Sequence, residues 1–498
     1  MMERLCFIPI VVSALMAFMA VSWVYFKILR IALDKNLVDN PDARKLQKRP
    51  IPVMGGMAVF FGLLVGVLAG TALSLLLGME PLWKLLPVIC ALSVMLYIGA
   101  MDDIHGLSPR ARLTVEILVV SGMLAANGMY VDSLHGLWGV ERMEEWFAIV
   151  LTVFAGVGIV NAVNMIDGVN GLSSGLCMLC LSIFGGVFVY AGDWTNALLA
   201  FATMAALLPF FIHNVFGLRS RMFIGDAGTM VMGMELTWLL IATLSSKGTV
   251  AGIMDGKGIG LVAFALAVLA LPVADTLRVM TMRMVHGRSP FSPDKTHLHH
   301  VFVAVGMSHF FTTMSELIIA VSVVVCWIAS VWMGADKEVQ LYVVIGASVM
   351  FVWGTYALLR YHAMHNTELL HRITAFSVRT HWGRTEWWRS LSAWLDRSCK
   401  EEQEVPNAVE EQQQKARLAL KFQHVDPENY KEQDRQKILQ FMMGRAEVMV
   451  EDIYKHSGAN PLRVYSILFE EKMKGDVVVI KEDTWGAPEI VALALRNI

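Results

Sequence analysis

The sequence predicts an all-α polytopic membrane protein of about eleven transmembrane helices, N-terminus outside and C-terminus cytoplasmic, plus a small cytoplasmic α/β domain at its C-terminal end. Three observations carry this expectation. Of 498 residues, 56% are hydrophobic and only 17% charged, where a soluble domain averages about 25% charged. Apolar segments recur near the ~20-residue length that spans a hydrocarbon core. Basic residues divide unequally between alternate loops, which orients the spans. The net charge of −2 is uninformative about nucleic acid, because the basic residues cluster in loops.

The first apolar run, about 5–31, is too long for the h-region of a signal peptide and has no small-residue cleavage site after it, so it reads as a span. Further spans fall at about 52–77, 85–101, 112–131, 146–164, 171–191, 196–215, 227–245, 258–282, 312–333 and 339–360. One set of loops carries fifteen basic residues: Lys27, Arg30, Lys35, Arg44, Lys45, Lys48, Arg49, Arg110, Arg112, Arg219, Arg221, Arg278, Arg283, Arg288 and Lys295. The other carries six: Arg4, Lys84, Arg142, Lys247, Lys257 and Lys337. The richer set is assigned to the cytoplasm. Cys177 and Cys180 form a Cys-x-x-Cys inside an apolar run without βαβ context, and read as small buried side chains.

Four domains are expected: a membrane domain at 1–362, an interfacial segment at 363–400, a polar linker at 401–426 and a soluble domain at 427–498. The segment from about His365 to Lys400 interleaves Trp382, Trp387, Trp388 and Trp394 with Arg372, Arg379, Arg384, Arg389 and Arg397. Next to a last span, that composition favours a helix lying in the anionic interface over an RNA surface. The soluble domain reads as a helix around 428–456, a second after Pro461 and a strand at Val477–Ile480. That order is loosely reminiscent of a winged helix, and an oligomerisation module fits equally.

Five polar clusters sit at the ends of the apolar segments on the cytoplasmic side, where ionisable residues near a bilayer are costly enough to suggest function. Adjacent Asp102 and Asp103 repel each other unless a cation relieves them, and oxygen-only ligands favour Mg²⁺ or Mn²⁺. In solvent the pair would merely cap a helix end. Asn161, Asn164 and Asp167, spaced three apart, are expected on one helical face, with Gly168 and Gly171 breaking the chain after them. Asparagine inside a membrane helix can also be packing glue. Gly225-Asp226-Ala227-Gly228-Thr229 opens a span where glycines admit a phosphate, or where Asp226 serves as an ordinary N-cap. Pro272-Val273-Ala274-Asp275 is the fourth cluster. The fifth, Gly287–His300, joins Arg288 and Lys295 to His297, His299 and His300. Without a nearby cysteine and in a basic field, it suits an anionic substrate better than zinc.

Together these motifs closely resemble the polyprenyl-phosphate N-acetylhexosamine-1-phosphate transferase family, over about residues 5–360. The likeness rests on Pro52-Val53-Met54-Gly55-Gly56, Asp-Asp-x-x-Gly-Leu-Ser from Asp102, Asn-x-x-Asn-x-x-Asp-Gly from Asn161, Gly-Asp-x-Gly from Gly225, and Pro-x-x-Asp-Thr-x-Arg at 272–278. The Gly-Arg-Ser-Pro-Phe-x-Pro-Asp-x-x-His-Leu-His-His run ending at His300 is similar to the GlcNAc-1-phosphate branch and less like the branch that uses UDP-MurNAc-pentapeptide.

The resemblance implies transfer of a hexosamine 1-phosphate from its UDP carrier to undecaprenyl phosphate, releasing UMP, at the cytoplasmic face of a bacterial inner membrane. It implies Mg²⁺ (or Mn²⁺) held by Asp102, Asp103, Asp167 and Asp226, with Asp102, Asp103 and Asp167 catalytic and Asp102 taking a proton from the lipid phosphate. Asn161, Asn164, Asn170, Arg288, His297, His299 and His300 would bind substrate. The implied partners are the UDP-N-acetylhexosamine, undecaprenyl phosphate and membrane lipid; no nucleic acid is expected, and a homodimer is compatible with the sequence. Asn170 stands where the family usually has a second Asp, which puts in doubt any mechanism needing both acids, and Thr229 stands for a usual Ser. The competing readings are the UDP-MurNAc-pentapeptide transferase, a transporter and a membrane-anchored sensor. The acids lie at one water boundary rather than mid-membrane, which disfavours a transporter.

Overall fold

The computed structural model describes residues 2–39, 51–79, 85–289, 296–365, 385–399, 427–443, 445, 447–457, 464, 467–468, 470–471, 476–482 and 488–493. It divides into two compact units, one of residues 1–361 and 367–400, the other of 362–366 and 401–498.

The first unit is a helical bundle. Its helices are α1 (Met2–Asp34), α2 (Gly55–Leu76), α3 (Leu85–His105), α4 (Pro109–Asn127), α5 (Glu145–Met165), α6 (Leu172–Tyr190), α7 (Trp194–Phe216), α8 (Gly225–Leu244) and α9 (Thr249–Met254). They continue with α10 (Leu261–Val268), α11 (Ala270–Val285), α12 (Leu298–Ala304), α13 (His309–Trp332), α14 (Lys337–Ser348), α15 (Gly354–His365) and α16 (Glu386–Leu395). A two-residue antiparallel pair, β1 (Val38–Asp39) with β2 (Ile51–Pro52), follows α1. Among the described residues nine helices are long and apolar enough to cross a membrane. The pair α10–α11, bent by 77°, makes a tenth if counted as one span. The remaining expected span, 112–131, corresponds to α4, which carries Arg110, Arg112 and Glu116 and is too polar to qualify by apolarity.

Local sequence sets the helix ends. Ser108 caps α4 by accepting Ala111 N–H at 3.3 Å, Pro109 opens the helix, and left-handed Gly128 closes it. Asp193, Ser308 and Asp336 cap α7, α13 and α14 in the same way.

α8 runs through the centre and is buried almost throughout. Glycines let its neighbours touch its backbone, as packing between helices in lipid favours. A Cβ on Gly56 would lie 2.3 Å from Gly228 N, and one on Gly99 would lie 2.5 Å from Ala227. Both contacts fall at the N-terminal turn of α8. At the far end of α8, a second polar layer forms. There Asp132 binds Ser246, His135 meets Asp255 at 3.2 Å, and Lys337 joins Asp255 at 2.8 Å.

The second unit contains α17 (Pro427–Met442), β3 (Val448–Met449), α18 (Val450–Ser457), β4 (Val477–Glu482) and β5 (Pro488–Leu493). The helix expected at 428–456 is therefore interrupted by a short strand, and β5 was not foreseen. The antiparallel sheet has the order β3-β5-β4. Ile438, Met442, Ile453, Val464, Ile467, Leu468, Val477 and Val491 form its core. Among the described residues the element order of this unit is helix, strand, helix, strand, strand.

Because the atoms facing Gly56 and Gly99 are backbone and cannot rotate away, Gly99→Ala and Gly56→Ala are each expected to destabilise the bundle by about 1–3 kcal/mol. Thermal melts in detergent check this, with Gly122→Ala, where a Cβ meets nothing within 4 Å, as a near-neutral control.

Candidate active site

The adjacent carboxylates at the end of α3 have different surroundings. Asp103 accepts Asp226 N–H at 2.9 Å and Ala227 N–H at 3.1 Å, so it caps the first turn of α8 from another helix. Asp226 is therefore not the N-cap of its own helix. Gly225 between them has φ +71°, and a Cβ there would lie 2.5 Å from Asp103 Oδ2, so glycine is required twice over. Asp102 accepts Leu107 N–H at 2.7 Å and faces Arg112 Nη1 at 3.2 Å.

Arg112 is the hub, and sequence reasoning missed it. Projecting from α4, its guanidinium donates to Glu116 at 3.1 Å, Asn161 Oδ1 at 3.3 Å and Asn164 Oδ1 at 2.9 Å, and approaches Asp226 Oδ2 at 3.7 Å. Asn161 also donates to Glu116, and Asn164 donates to Asp226 Oδ1 at 2.6 Å and Thr229 Oγ1 at 2.8 Å. The available signal was Arg112 and Glu116 four residues apart at the start of the apolar stretch of α4, a pairing that neutralises both where charge is costly.

The expectation of one helical face for Asn161, Asn164 and Asp167 holds only for the asparagines. α5 ends at Met165. Asp167 lies in the turn beyond and accepts Ser173 Oγ–H at 2.5 Å. Its carboxyl is solvent-reachable but crowded on all sides, and this desolvation raises it from the usual carboxylate range to about 7. The Ser173 hydrogen bond opposes the rise and the charge of Asp226 adds to it. The turn is pinned from two sides. Asn170 N–H donates to His309 Nδ1 at 3.4 Å, Asn170 C=O accepts Thr313 Oγ–H at 2.9 Å, and Gly171 N–H donates to Asn214 Oδ1 at 2.6 Å. The contacts that hold the Asn170 position are thus those of its backbone.

Asp275 organises the histidine run. Buried, it accepts from His297 Nδ1 at 2.8 Å, Leu298 N–H at 3.2 Å and Arg278 Nη2 at 2.6 Å. Arg278 stacks over Tyr356 and donates to Thr296 C=O. His297 and His299 stack with ring centres 5.7 Å apart, and His300 lies 4.3 Å from His299. A Cβ on Gly168 would fall 2.2 Å from His299 Nε2, so the histidine run packs directly on the turn that carries Asp167. Burial, reinforced by His300 and His297, pushes His299 well below the ordinary imidazole range. Within the basic field expected of this loop, His299 is therefore the neutral form at pH 7. Arg288 is half-buried beside 290–295, and Lys295 lies outside the described residues.

Carboxylates of Asp102, Asp226 and Asp167 thus face one recess beside a single guanidinium. Asp167 is exposed, the side chain of Asp226 is 36% exposed, and that of Asp102 is 12% exposed. Among the described residues, no three carboxylate, imidazole or thiol side chains converge closely enough to enclose a metal ion unaided. The donor set is oxygen only, and it carries more negative charge than Arg112 balances. It fits a hard divalent cation that shares its remaining positions with water and phosphate, as Mg²⁺ characteristically does.

Residues 85–244 match the family described as glycosyl transferase family 4. The chain is 31% identical to an undecaprenyl-phosphate alpha-N-acetylglucosaminyl 1-phosphate transferase of Yersinia pestis over 282 residues, 56% of this chain and 73% of that protein. The protein of the same description from Escherichia coli K12 is 31% identical over 288 residues, 56% of this chain and 72% of the other. A probable undecaprenyl-phosphate N-acetylglucosaminyl 1-phosphate transferase of Bacillus subtilis is 29% identical over 334 residues, 66% of this chain and 87% of the other.

The raised carboxyl of Asp167 has a signed consequence. With a folded-state value near 7 and an ordinary value near 3.9, the folded chain holds this proton more tightly than the unfolded one, so this group's contribution to stability declines as pH rises from about 4 to 7. Asp167→Asn removes that decline. In chelator and without substrate, the variant's melting temperature relative to wild type is expected to rise from pH 5 to pH 8, as thermal melts across that range would show.

Proposed function

The chain belongs to glycosyl transferase family 4, and we propose that it transfers N-acetylglucosamine 1-phosphate from UDP-N-acetylglucosamine to undecaprenyl phosphate, yielding the lipid diphosphate sugar and UMP. The observation that carries this reading is the convergence of Asp102 and Asp226 on Arg112, with Asp167 in electrostatic reach of Asp226 and the histidine run packed on the Asp167 turn. The relatives' descriptions supply the donor class and the lipid acceptor. The excess of basic residues in the loops of that end supports a cytoplasmic site, and the lipid acceptor in the relatives' descriptions fits a bacterial inner membrane.

In this reaction an oxygen of the lipid phosphate attacks the phosphorus that bears the sugar. A new P–O bond forms as the bond from that phosphorus to the bridging oxygen breaks, and UMP leaves with the electron pair. We favour one direct displacement. Asp226 and Asp102 would hold Mg²⁺, with Asp167 beside them; the bound cation would neutralise and align the diphosphate oxygens. Asp103 would present Asp226 by holding the first turn of α8, besides the metal and catalytic role that the resemblance implies. Arg112 keeps Asp102, Asn161 and Asn164 in place and adds positive charge where phosphates meet.

We assign the general-base role to Asp167 in preference to Asp102, to which the family resemblance gave it. A base works best with a pKa near the operating pH, and Asp167 meets that condition. Asp102 is already engaged by Leu107 N–H and Arg112. His297, its Nδ1 occupied by Asp275, has Nε2 left for the nucleotide-sugar. Asn161, Asn164, Asn170, Arg288, His299 and His300 complete the substrate surface.

Product analysis with purified protein, Mg²⁺, undecaprenyl phosphate and a panel of UDP-sugars tests the reading, and formation of lipid-linked product from UDP-MurNAc-pentapeptide instead would overturn the donor assignment. EDTA is expected to abolish turnover and Mg²⁺ or Mn²⁺ to restore it; Asp102→Asn and Asp226→Asn should each cut kcat by orders of magnitude while the fold persists. Asp275→Asn and His297→Ala are expected to raise the KM for the UDP-sugar about 10- to 150-fold, the equivalent of ~1.5–3 kcal/mol for a hydrogen bond to a charged group. Equal losses in lipid affinity would reverse the assignment of that loop.

A further inference from the structure

Outside the stretch that matches the family, α16 (Glu386–Leu395) and the turn after it dock on the connection between α7 and α8. The side chain of Asp396 accepts Leu218 N–H at 3.2 Å and Arg219 N–H at 3.0 Å through Oδ2, and Ser220 N–H at 3.0 Å and Ser220 Oγ–H at 2.7 Å through Oδ1. Three consecutive backbone N–H groups thus close around one carboxylate, a nest built for an anion. Ser392 Oγ donates to Phe216 C=O at 2.6 Å, satisfying a carbonyl in the last turn of α7. The Phe216 ring packs against Trp388 at 4.5 Å and Trp387 at 6.0 Å.

The turn so held leads straight into the site. Ser220 C=O accepts Tyr25 Oη–H from α1 at 2.8 Å. Two residues on, Met222 C=O accepts Asn214 Nδ2–H at 2.8 Å, and the other end of that same amide holds Gly171 in the Asp167 turn. Phe223 N–H donates to Pro52 C=O, while Gly55 and Gly56 N–H donate to Phe223 and Ile224 C=O. Asp226 follows. Five residues therefore separate the Asp396 nest from Asp226, the path is anchored at Ser220, Met222, Phe223 and Ile224, and Asn214 links it to the other acid-bearing turn.

We propose that Asp396 is a positioning residue for the transfer reaction: held by the amphipathic helix beyond the bundle, its carboxylate fixes the 217–224 turn and, through it, the placement of Asp226 and Asp167. This rests on the proposed function. Leu218 and Arg219 are exposed, so water can take over their hydrogen bonds when Asp396 is removed, and the hydroxyl of buried Ser220 keeps His213 Nδ1 at 3.1 Å as a partner. The fold therefore survives while the turn loses its single geometry.

The test uses full-length Asp396→Ala, Asp396→Glu and Ser392→Ala proteins in detergent, measuring kcat and the KM for UDP-N-acetylglucosamine alongside amide exchange over 217–228. Asp396→Ala is expected to lower kcat per folded molecule by ~10-fold or more, as small misplacements of reacting groups do, with little change in KM or melting temperature. Amides 218–228 should exchange faster. Asp396→Glu, which keeps both acceptor oxygens, should recover much of kcat, and Ser392→Ala should fall between wild type and Asp396→Ala. Wild-type kcat in Asp396→Ala, or a loss that vanishes after correction for the folded fraction, overturns the proposal. Should the wild-type chain turn over no UDP-sugar at all, the functional reading fails separately. Exchange then decides the latch, and faster exchange confined to 218–220 would overturn it.

Discussion

The Arg112 guanidinium is the interaction on which the rest of the recess depends. It comes from a helix too polar to qualify as a span by apolarity and ties together side chains of α3, α4, α5 and α8. Around it lie Asp102, Glu116 and Asp226, a carboxylate excess that would drive the helix ends apart without a cation. Removing one partner of such a network leaves the others uncompensated, which is why paired charges of this kind are costly to break. The same excess leaves the recess attractive to further positive charge, and this is where the chemistry of a diphosphate substrate begins.

Backbone capping by distant side chains is the second constraint. Asp103 holds the start of α8 and Asp396 holds the turn before it. Asn214 joins that turn to the Asp167 segment. Each device satisfies amides that a helix end or a turn leaves open. The carboxylates that remain available at the recess are those the backbone does not consume, so adjacent Asp102 and Asp103 diverge in role. Their chemical identity is the same, and their hydrogen-bond partners separate them.

The histidine run shows how burial edits a motif. Asp275 grips His297, which stacks on His299, and His299 packs on Gly168 so closely that no side chain fits there. Stacked, desolvated imidazoles cannot all carry charge. A run that looks cationic on paper therefore supplies hydrogen-bonding and shape at His299, with positive charge left to groups nearer solvent.

Much of the architecture was legible in the sequence because apolar length and the cost of bare backbone in lipid leave few alternatives to membrane helices. The acid-bearing clusters were legible too, since Asp102, Asp167 and Asp226 stand out against apolar surroundings. Sequence alone did not reveal that α5 stops at Met165, which takes Asp167 off the helical face, or that the supposed helix at 428–456 contains a strand. Nor did it single out Arg112, Asn214, His309 or Asp396, whose partners lie far away along the chain. Charge and hydropathy patterns are local, so they determined where polar groups sit along each segment. Which of those groups meet is a question of long-range contact, and only the packing of the bundle decided it.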